Sequence, residues 1–157
     1  MHTDFFTLGK QHLEAHKHTD ALKYFGLAVE QNANLAEYIS YYGLSLALAR
    51  NDLSGSVEKC TYAIKKCVWK AELYLNLCRV YLHFGNRTAA LNTLMRGLRY
   101  APASRELFEE LARLNFNARR PPIFANLTRE HPLNKYFGLF FRRHLPKIPG
   151  KGKGGPP

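Results

Sequence analysis

The sequence is poor in cysteine, and its cysteines are not arranged as in a metal site or a redox motif. Its 157 residues contain three cysteines, and no two of them form a Cys-x-x-Cys pair. An odd number of cysteines cannot pair completely within one chain. Cys60 and Cys78 fall on the apolar faces of predicted helices, where they serve as small core residues, and Cys67 lies near a predicted helix end. We therefore expect reduced thiols and a cytoplasmic protein.

Long hydrophobic runs are also missing. No stretch approaches the roughly 20 apolar residues that a transmembrane helix needs. The first residues, Met1 to Phe6, do not place a basic segment before an apolar run, so no signal peptide is predicted. Valine is scarce and no alternating strand pattern occurs. These absences leave an all-helical fold, and the apolar fraction of 46% is typical of a folded chain.

The motifs of common enzymes are absent as well. The chain has no phosphate-binding loop, no Gly-x-Ser-x-Gly and no Cys-His arrangement with a catalytic spacing. His12 and His16 are one helical turn apart, as in metal-binding helices, but no further ligand is evident and Leu13 stands where zinc proteases carry glutamate. Glu109 and Glu110 are adjacent and diverge by about 100° on a helix. The sequence predicts no enzymatic activity, no cofactor and no metal site.

Acidic residues are few and the basic ones are unevenly distributed. The whole chain carries 23 Lys and Arg against 12 Asp and Glu, a net charge of +11. Residues 119–157 hold 9 of these basic residues and one acidic residue, which makes their net charge +8. The remaining residues are close to balanced. The basic character is therefore mainly a property of the C-terminal segment.

What the sequence does contain is a helical hairpin between Ala71 and Ser104. One face of its first helix is marked by apolar residues at steps of 3, 1 and 3: Tyr74, Leu77, Cys78 and Tyr81. Gly85-Asn86 interrupts this helix. A second apolar set predicts a second helix that ends before Pro102: Ala90, Leu91, Leu94 and Leu98.

Two more copies of this hairpin precede it at spacings of 34 or 35 residues. Small residues recur at two places: Ala21, Ser56 and Ala90, then Ala28, Ala63 and Gly97. Larger residues recur at another: Phe25, Cys60 and Leu94. Leu8-Gly9, Tyr42-Gly43 and Leu77-Cys78 also correspond. A helix-turn-helix repeat of about 34 residues with this order resembles the tetratricopeptide repeat, as in small bacterial-type adaptors of that family.

The resemblance implies a right-handed helical solenoid in residues 1–117. Its repeats are expected at 3–35, 36–70 and 71–104, followed by a capping helix at 105–117. Within them, Asp20 is a candidate cap for the second helix. Trp69 is expected to pack between the second and third hairpins.

In this family the first helices of the repeats line a concave groove that binds partners. The alignment places apolar residues and a few polar ones there: Phe6, Lys10, Leu13, Ser40, Tyr41, Leu44, Leu48, Leu75, Asn76, Arg79 and His83. Lys10, Asn76 and Arg79 are the expected polar contacts. An apolar surface of this kind is typical of a partner site. That the chain's own tail or a second copy covers this groove is an equally open alternative.

Some tetratricopeptide co-chaperones hold a partner's C-terminal carboxylate in a clamp of Lys, Asn and Arg residues. The resemblance assigns the corresponding places to these residues: Phe6, Lys10, Tyr41, Glu72 and Asn76. None matches the clamp, and Glu72 would repel a carboxylate. Binding of heat-shock chaperone tails is therefore disfavoured.

The C-terminal segment predicts three parts. Residues 118–131 form a linker containing Pro121-Pro122. Residues 132–145 form an aromatic amphipathic helix marked by several residues: Leu133, Tyr136, Phe137, Phe140, Phe141, Arg142 and Arg143. Residues 146–157 form a disordered basic tail rich in Gly and Pro. The helix is expected to cap Arg105–Asn117 by covering Leu107, Phe108, Leu111 and Leu114. A docking helix for a partner and an anionic membrane contact are the alternatives, with nucleic acid the weakest.

The sequence as a whole predicts a non-enzymatic adaptor or scaffold that binds a peptide or a helix in the groove. A secretion-type chaperone is a narrower form of this prediction. The alternative is a scaffold that associates with membrane surfaces or polyanions through the basic aromatic tail. We expect a cytoplasmic location, with peripheral membrane association under the second alternative.

Overall fold

The computed structural model describes residues 4–116, which form seven α-helices and no strand. The helices are α1 (Phe5–Glu14), α2 (His18–Gln31), α3 (Ala36–Arg50), α4 (Leu53–Lys66), α5 (Ala71–His83), α6 (Arg87–Tyr100) and α7 (Arg105–Phe116). The prediction of an all-α fold is confirmed. All the C-terminal calls, on 118–131, 132–145 and 146–157, lie outside the described residues.

The helices pack as successive hairpins. α1 packs on α2, α3 on α4 and α5 on α6, while α2 and α3 join the first two hairpins. α5 packs on both α3 and α4, and α7 packs on α5 and α6. Because α2 packs on α3 and α4 packs on α5, each hairpin stacks on the next, and the three hairpins form successive repeats, as predicted. The first helices α1, α3 and α5 consequently lie side by side.

Short polar residues set the helix starts. The Asp4 side chain accepts hydrogen bonds from the backbone N–H groups of Phe6 and Thr7. Asn86 accepts one from Ala89 N–H at 3.0 Å. These caps satisfy donors that the first helical turn leaves unpaired. Gly85, in the turn before α6, has a φ of 72°, which glycine adopts without strain.

The expected cap at Asp20 is wrong. α2 begins at His18, and its N-cap residue is Lys17, which makes no side-chain cap bond. The turn closes earlier than predicted because His16 adopts a left-handed conformation with φ 57° and Lys17 N–H bonds back to the His12 carbonyl. Asp20 therefore lies inside the first turn of α2. Its carboxylate is 3.6 Å from His12 Nδ1.

The small residues of the repeat lie where the two helices of a hairpin meet. Ala21, Ser56 and Ala90 are fully buried. A Cβ added to Gly9 would come within 2.7 Å of the Phe25 ring, and one added to Gly43 would come within 2.9 Å of Cys60 Sγ. Small and large residues thus meet at corresponding places in successive hairpins. This agrees with the repeat register that the spacings predicted.

The expected position of Trp69 is wrong. Trp69 does not pack between hairpins: its side chain is 66% exposed, because the loop between α4 and α5 turns it outward.

The apolar stripe of α7 is buried, at Leu107, Phe108, Leu111 and Leu114, and Leu107 lies against Gly97 of α6. In the described part of the chain, no helix combines the length and apolar character needed to cross a bilayer.

Candidate functional site

The first helices line an open cavity of about 580 Å³. Six of the predicted groove residues line it, from all three of these helices: Lys10, Leu13, Tyr41, Leu44, Leu48 and Arg79. The side-by-side packing of α1, α3 and α5 brings them together from three repeats. Tyr41 and Leu44 are nearly buried and form its wall, whereas Leu13 and Leu48 are half-buried. The cavity therefore offers a partner two half-buried leucines and a few polar groups.

Aromatic rings close one end of this groove. Phe6 stacks on Tyr38 with 4.5 Å between ring centroids and meets Tyr41 edge-on at 5.3 Å. Tyr41 packs in turn against Phe25 at 5.1 Å. The Lys10 Nζ lies 5.2 Å from the Phe6 ring centre, a distance at which a cation is attracted to a ring face. Phe6 and Tyr41 thus hold the first two hairpins together; Tyr41 also lines the cavity, whereas the predicted groove residue Phe6 does not.

Glu72 joins this end of the groove to the third repeat. The Tyr41 hydroxyl donates a hydrogen bond of 2.5 Å to Glu72 Oε1, and Lys10 Nζ lies 3.7 Å from the same oxygen. Burial and this bond to the carboxylate raise the pKa of Tyr41 above its ordinary value, so the phenol stays protonated. The sequence identified Glu72 only as a mismatch to the clamp. Its pairing with Lys10 crosses from α5 to α1 and becomes visible only in the fold.

Asn76 lies in the core, so it cannot serve as the polar groove contact that the alignment placed there. The side chain has no exposed surface, and its Nδ2 donates to Ser40 Oγ at 3.2 Å. Ser40 is also fully buried. The physical reason is the packing of α5 directly on α3, which turns these two positions toward each other instead of toward the groove.

Arg79 is exposed at the groove and lacks an acidic partner. Its Nη1 donates to Asn76 Oδ1 at 3.3 Å, a neutral amide oxygen. No carboxylate in the described residues forms an ion pair with it. Leu75 is half-buried outside the cavity lining. His83 is exposed, beyond the cavity, with Nε2 2.8 Å from Asn51 Oδ1. Arg79 is therefore the cation of the groove that is most available to a partner.

Three cavity-lining residues were missed as groove residues: Glu14, His16 and His18. They come from the end of α1, the turn after it and the first residue of α2. A helical signal existed for Glu14, because it follows Lys10 by four residues on the same face. His16 and His18 meet edge-on with ring centroids 6.0 Å apart. No group of three or more His, Cys, Asp or Glu residues in the described ranges is placed to hold a metal ion.

Solved tetratricopeptide repeat structures share this fold. The first such domain of Spaghetti (RPAP3), bound to the HSP90 peptide SRMEEVD, matches 70% of this chain and 89% of its own with a TM-score of 0.56 at 12% identity. The Arabidopsis OM64 domain matches 73% of this chain and 93% of its own, with a TM-score of 0.56 at 14% identity.

The Yersinia enterocolitica type III secretion chaperone SycD, in complex with a peptide of the translocator YopD, gives a TM-score of 0.57 at 14% identity. That match covers 70% of this chain and 83% of SycD. No protein-family model matches the sequence, and no curated protein matches it either. The likenesses establish the fold: this chain is built as a tetratricopeptide-like helical repeat.

Proposed function

We propose that this protein is a non-enzymatic adaptor that binds a peptide or a helix of a partner protein in the groove lined by α1, α3 and α5. One observation carries the proposal. The groove combines the half-buried Leu13 and Leu48 with Arg79, an exposed cation that has no carboxylate partner in the described part of the chain. Exposed apolar surface beside an uncommitted charge is a common property of recognition sites.

The charges of the groove indicate the chemistry of the partner segment. Lys10 is already paired with Glu72, so its charge is partly balanced within the groove. Arg79 is bonded only to an amide oxygen. A segment with apolar side chains for Leu13 and Leu48 and one carboxylate for Arg79 fits this arrangement. An acidic side chain within an apolar helix would suit it.

Capture of a chaperone's C-terminal carboxylate is not favoured, although the RPAP3 domain binds an HSP90 peptide. Of the clamp places, Asn76 is buried, Lys10 is paired and Glu72 is acidic. A secretion-type chaperone remains a narrower form of the proposal. The likeness to SycD extends to the fold alone, so it does not favour this narrower form over the general one. The membrane or polyanion alternative through the tail rests on residues outside the described range. A cytoplasmic location is part of the proposal.

The experiment that tests the groove is site-specific photo-cross-linking in a native lysate. A photoreactive side chain at Leu48 should cross-link a partner, whereas the same side chain at Leu53, an exposed residue at the start of α4, should not. Arg79→Glu, in the Leu48-labelled protein, should remove the cross-linked product through charge repulsion. Circular dichroism checks that this variant keeps its helices. Equal products from both labelled positions, or products insensitive to Arg79→Glu, would contradict the proposal.

A further inference from the structure

The loops that join successive hairpins carry exposed large apolar side chains. Leu35 ends the loop before α3 and is 37% exposed, and Trp69 in the loop before α5 is 66% exposed. Tyr62, in the last third of α4 before the Trp69 loop, and Tyr100, at the end of α6 before the loop to α7, are about half exposed. In the described range, Leu53 is the one other large apolar residue with comparable exposure. We call the surface around Leu35, Tyr62, Trp69 and Tyr100 the inter-repeat edge.

Direct contacts connect the parts of this edge. Lys66 Nζ donates to Asn34 Oδ1 at 3.2 Å and lies 5.2 Å from the centre of the Tyr62 ring. The loop of the first repeat and the end of α4 are therefore adjacent. The Tyr74 hydroxyl donates to the Val68 carbonyl at 2.8 Å, and its ring stacks on Tyr100 at 6.4 Å. The Trp69 loop is thus connected to the end of α6.

Basic side chains lie among these aromatic residues. Four of them are exposed: Lys65 and Lys66 in the last turn of α4, Arg99 in the last turn of α6, and Arg96 one turn earlier in α6. None of the four forms an ion pair with a carboxylate of the described residues. A cation near the C-terminus of a helix interacts favourably with the helix dipole, but the interaction is weak. These charges can therefore still bind an anionic ligand. The edge therefore presents uncommitted positive charge.

Most carboxylates near this edge are already engaged. Glu37 pairs with Lys70, and Glu106 accepts a hydrogen bond from Ser104. Glu30, exposed near the end of α2, is the exception in the described part of the chain. The free charge of the edge is consequently positive on balance, and an anionic ligand is complementary to it.

We propose that the inter-repeat edge binds the surface of an anionic lipid membrane. Trp and Tyr rings favour the level of the lipid headgroups because they are apolar with one polar atom, and the basic side chains pair with headgroup phosphates. Leu35 favours lipid over single-stranded nucleic acid, since a leucine offers no ring on which a base can stack. This site consists of residues of the folded repeats that do not line the groove, and it includes no residue of the basic tail.

The experiment follows the fluorescence of Trp69, which is the chain's one tryptophan. The full-length protein is titrated with vesicles of phosphatidylcholine alone or mixed with phosphatidylserine. The mixed vesicles should shift the emission to shorter wavelength and protect it from acrylamide. Vesicle binding without any change at Trp69 would overturn the proposal, because it would assign the contact to the tail. A larger change with a single-stranded oligonucleotide than with vesicles would overturn it too.

Matched charge variants distinguish vesicle binding at the inter-repeat edge from a general effect of the protein's net charge. Lys65→Glu with Lys66→Glu should weaken binding to the mixed vesicles by on the order of tenfold or more, since each basic residue near the surface contributes about fivefold. Lys17→Glu with Lys23→Glu makes the same charge change at exposed positions on the first hairpin and should have a smaller effect. Equal losses in the two variants would contradict a specific edge, and circular dichroism confirms that each is folded.

Discussion

At the scale of single residues, the hairpins depend on side chains that are small enough for two helices to meet. Gly97 of α6 illustrates this, because a Cβ there would lie 2.9 Å from Tyr74 Cγ and 3.1 Å from Leu107 Cδ1. Tyr74 is fully buried and cannot swing away from this contact. The small residue is therefore required by packing, at a position where glycine is otherwise unfavourable in a helix.

We expect Gly97→Ala to lower stability. The added methyl group overpacks the α5–α6 contact, which typically costs about 1–3 kcal/mol and exceeds the gain in helix propensity. Gly26→Ala is the matched control, since its Cβ would meet Tyr42 at an ordinary 3.6 Å. That variant should be as stable as the parent or more so. Thermal melts followed by circular dichroism compare the two, and a lower midpoint for Gly26→Ala alone would refute the packing argument.

Two buried thiols give a prediction about pH. Burial raises the pKa of Cys60 to about 12, and burial with a smaller contribution from Glu110 raises the pKa of Cys78 to about 12. An unfolded thiol ionises near pH 9. Between these pH values the unfolded chain releases protons that the native state retains, so this contribution lowers stability as the pH rises.

The same thiols should resist alkylation. At pH 8 we expect iodoacetamide to leave Cys60 and Cys78 unmodified in the native protein, because both are buried and protonated. In denaturant all three cysteines should react, which serves as the control. Mass spectrometry of peptides locates the label. Rapid labelling of Cys60 or Cys78 under native conditions would be inconsistent with this core.

At the scale of helices, the first and third hairpins are coupled through the second. α3 packs on α2, α4 and α5, so its side chains are buried on more than one side. Ser40 and Asn76 form the polar link between α3 and α5 within this packing. A buried polar pair of this kind restricts how the two helices can align, because the hydrogen bond between them replaces bonds to water that burial removes.

Asn76→Ala should therefore destabilise the protein. It removes the partner of Ser40 Oγ in a buried site, with an expected cost of about 1–3 kcal/mol. Asn92→Ala, at an exposed position of α6, is the matched control and should change stability little. Urea denaturation measures both. If Asn76→Ala unfolds at the parent's urea concentration, Asn76 is not the buried link that its contacts describe.

At the scale of the whole molecule, three stacked hairpins place residues from distant repeats in one site. Lys10 and Glu72 are 62 positions apart in the chain, yet their side chains pair at one end of the groove. The same stacking aligns the connecting loops along the inter-repeat edge. Two different surfaces, a groove and an edge, thus arise from one repeated unit.

The predicted cap formed by residues 132–144 concerns the whole chain and stays a prediction. Burying Leu133, Tyr136, Phe137 and Phe140 would contribute about 1.5–3 kcal/mol each before the cost of ordering the segment. Amide hydrogen exchange on the full-length protein is the measurement. Protection within 132–144 that is absent from 147–157 is expected. Rapid exchange across both segments would favour a free tail that binds a partner or a membrane.

Much of the repeat architecture could be predicted from local and periodic signals. The recurrence of small residues at Ala21, Ser56 and Ala90 specifies where helices of a hairpin meet, and these contacts lie between neighbours in the chain. Gly85 and Pro102 mark helix ends through backbone restrictions that act locally. The all-helical fold and the hairpin register follow from such signals, which do not depend on distant residues.

Tertiary packing decided which side chains of the first helices face the groove. Asn76 and Arg79 are three residues apart, close enough for both to suit the alignment, but the contact of α5 with α3 buries one and exposes the other. The exposure of Trp69 could not be predicted either, because Trp69 lies in a loop and a loop has no periodicity from which burial could be inferred. The sequence determines the repeat because its helix signals are local. The exposed surfaces depend on how hairpins stack, and that is settled by contacts between residues far apart in the chain.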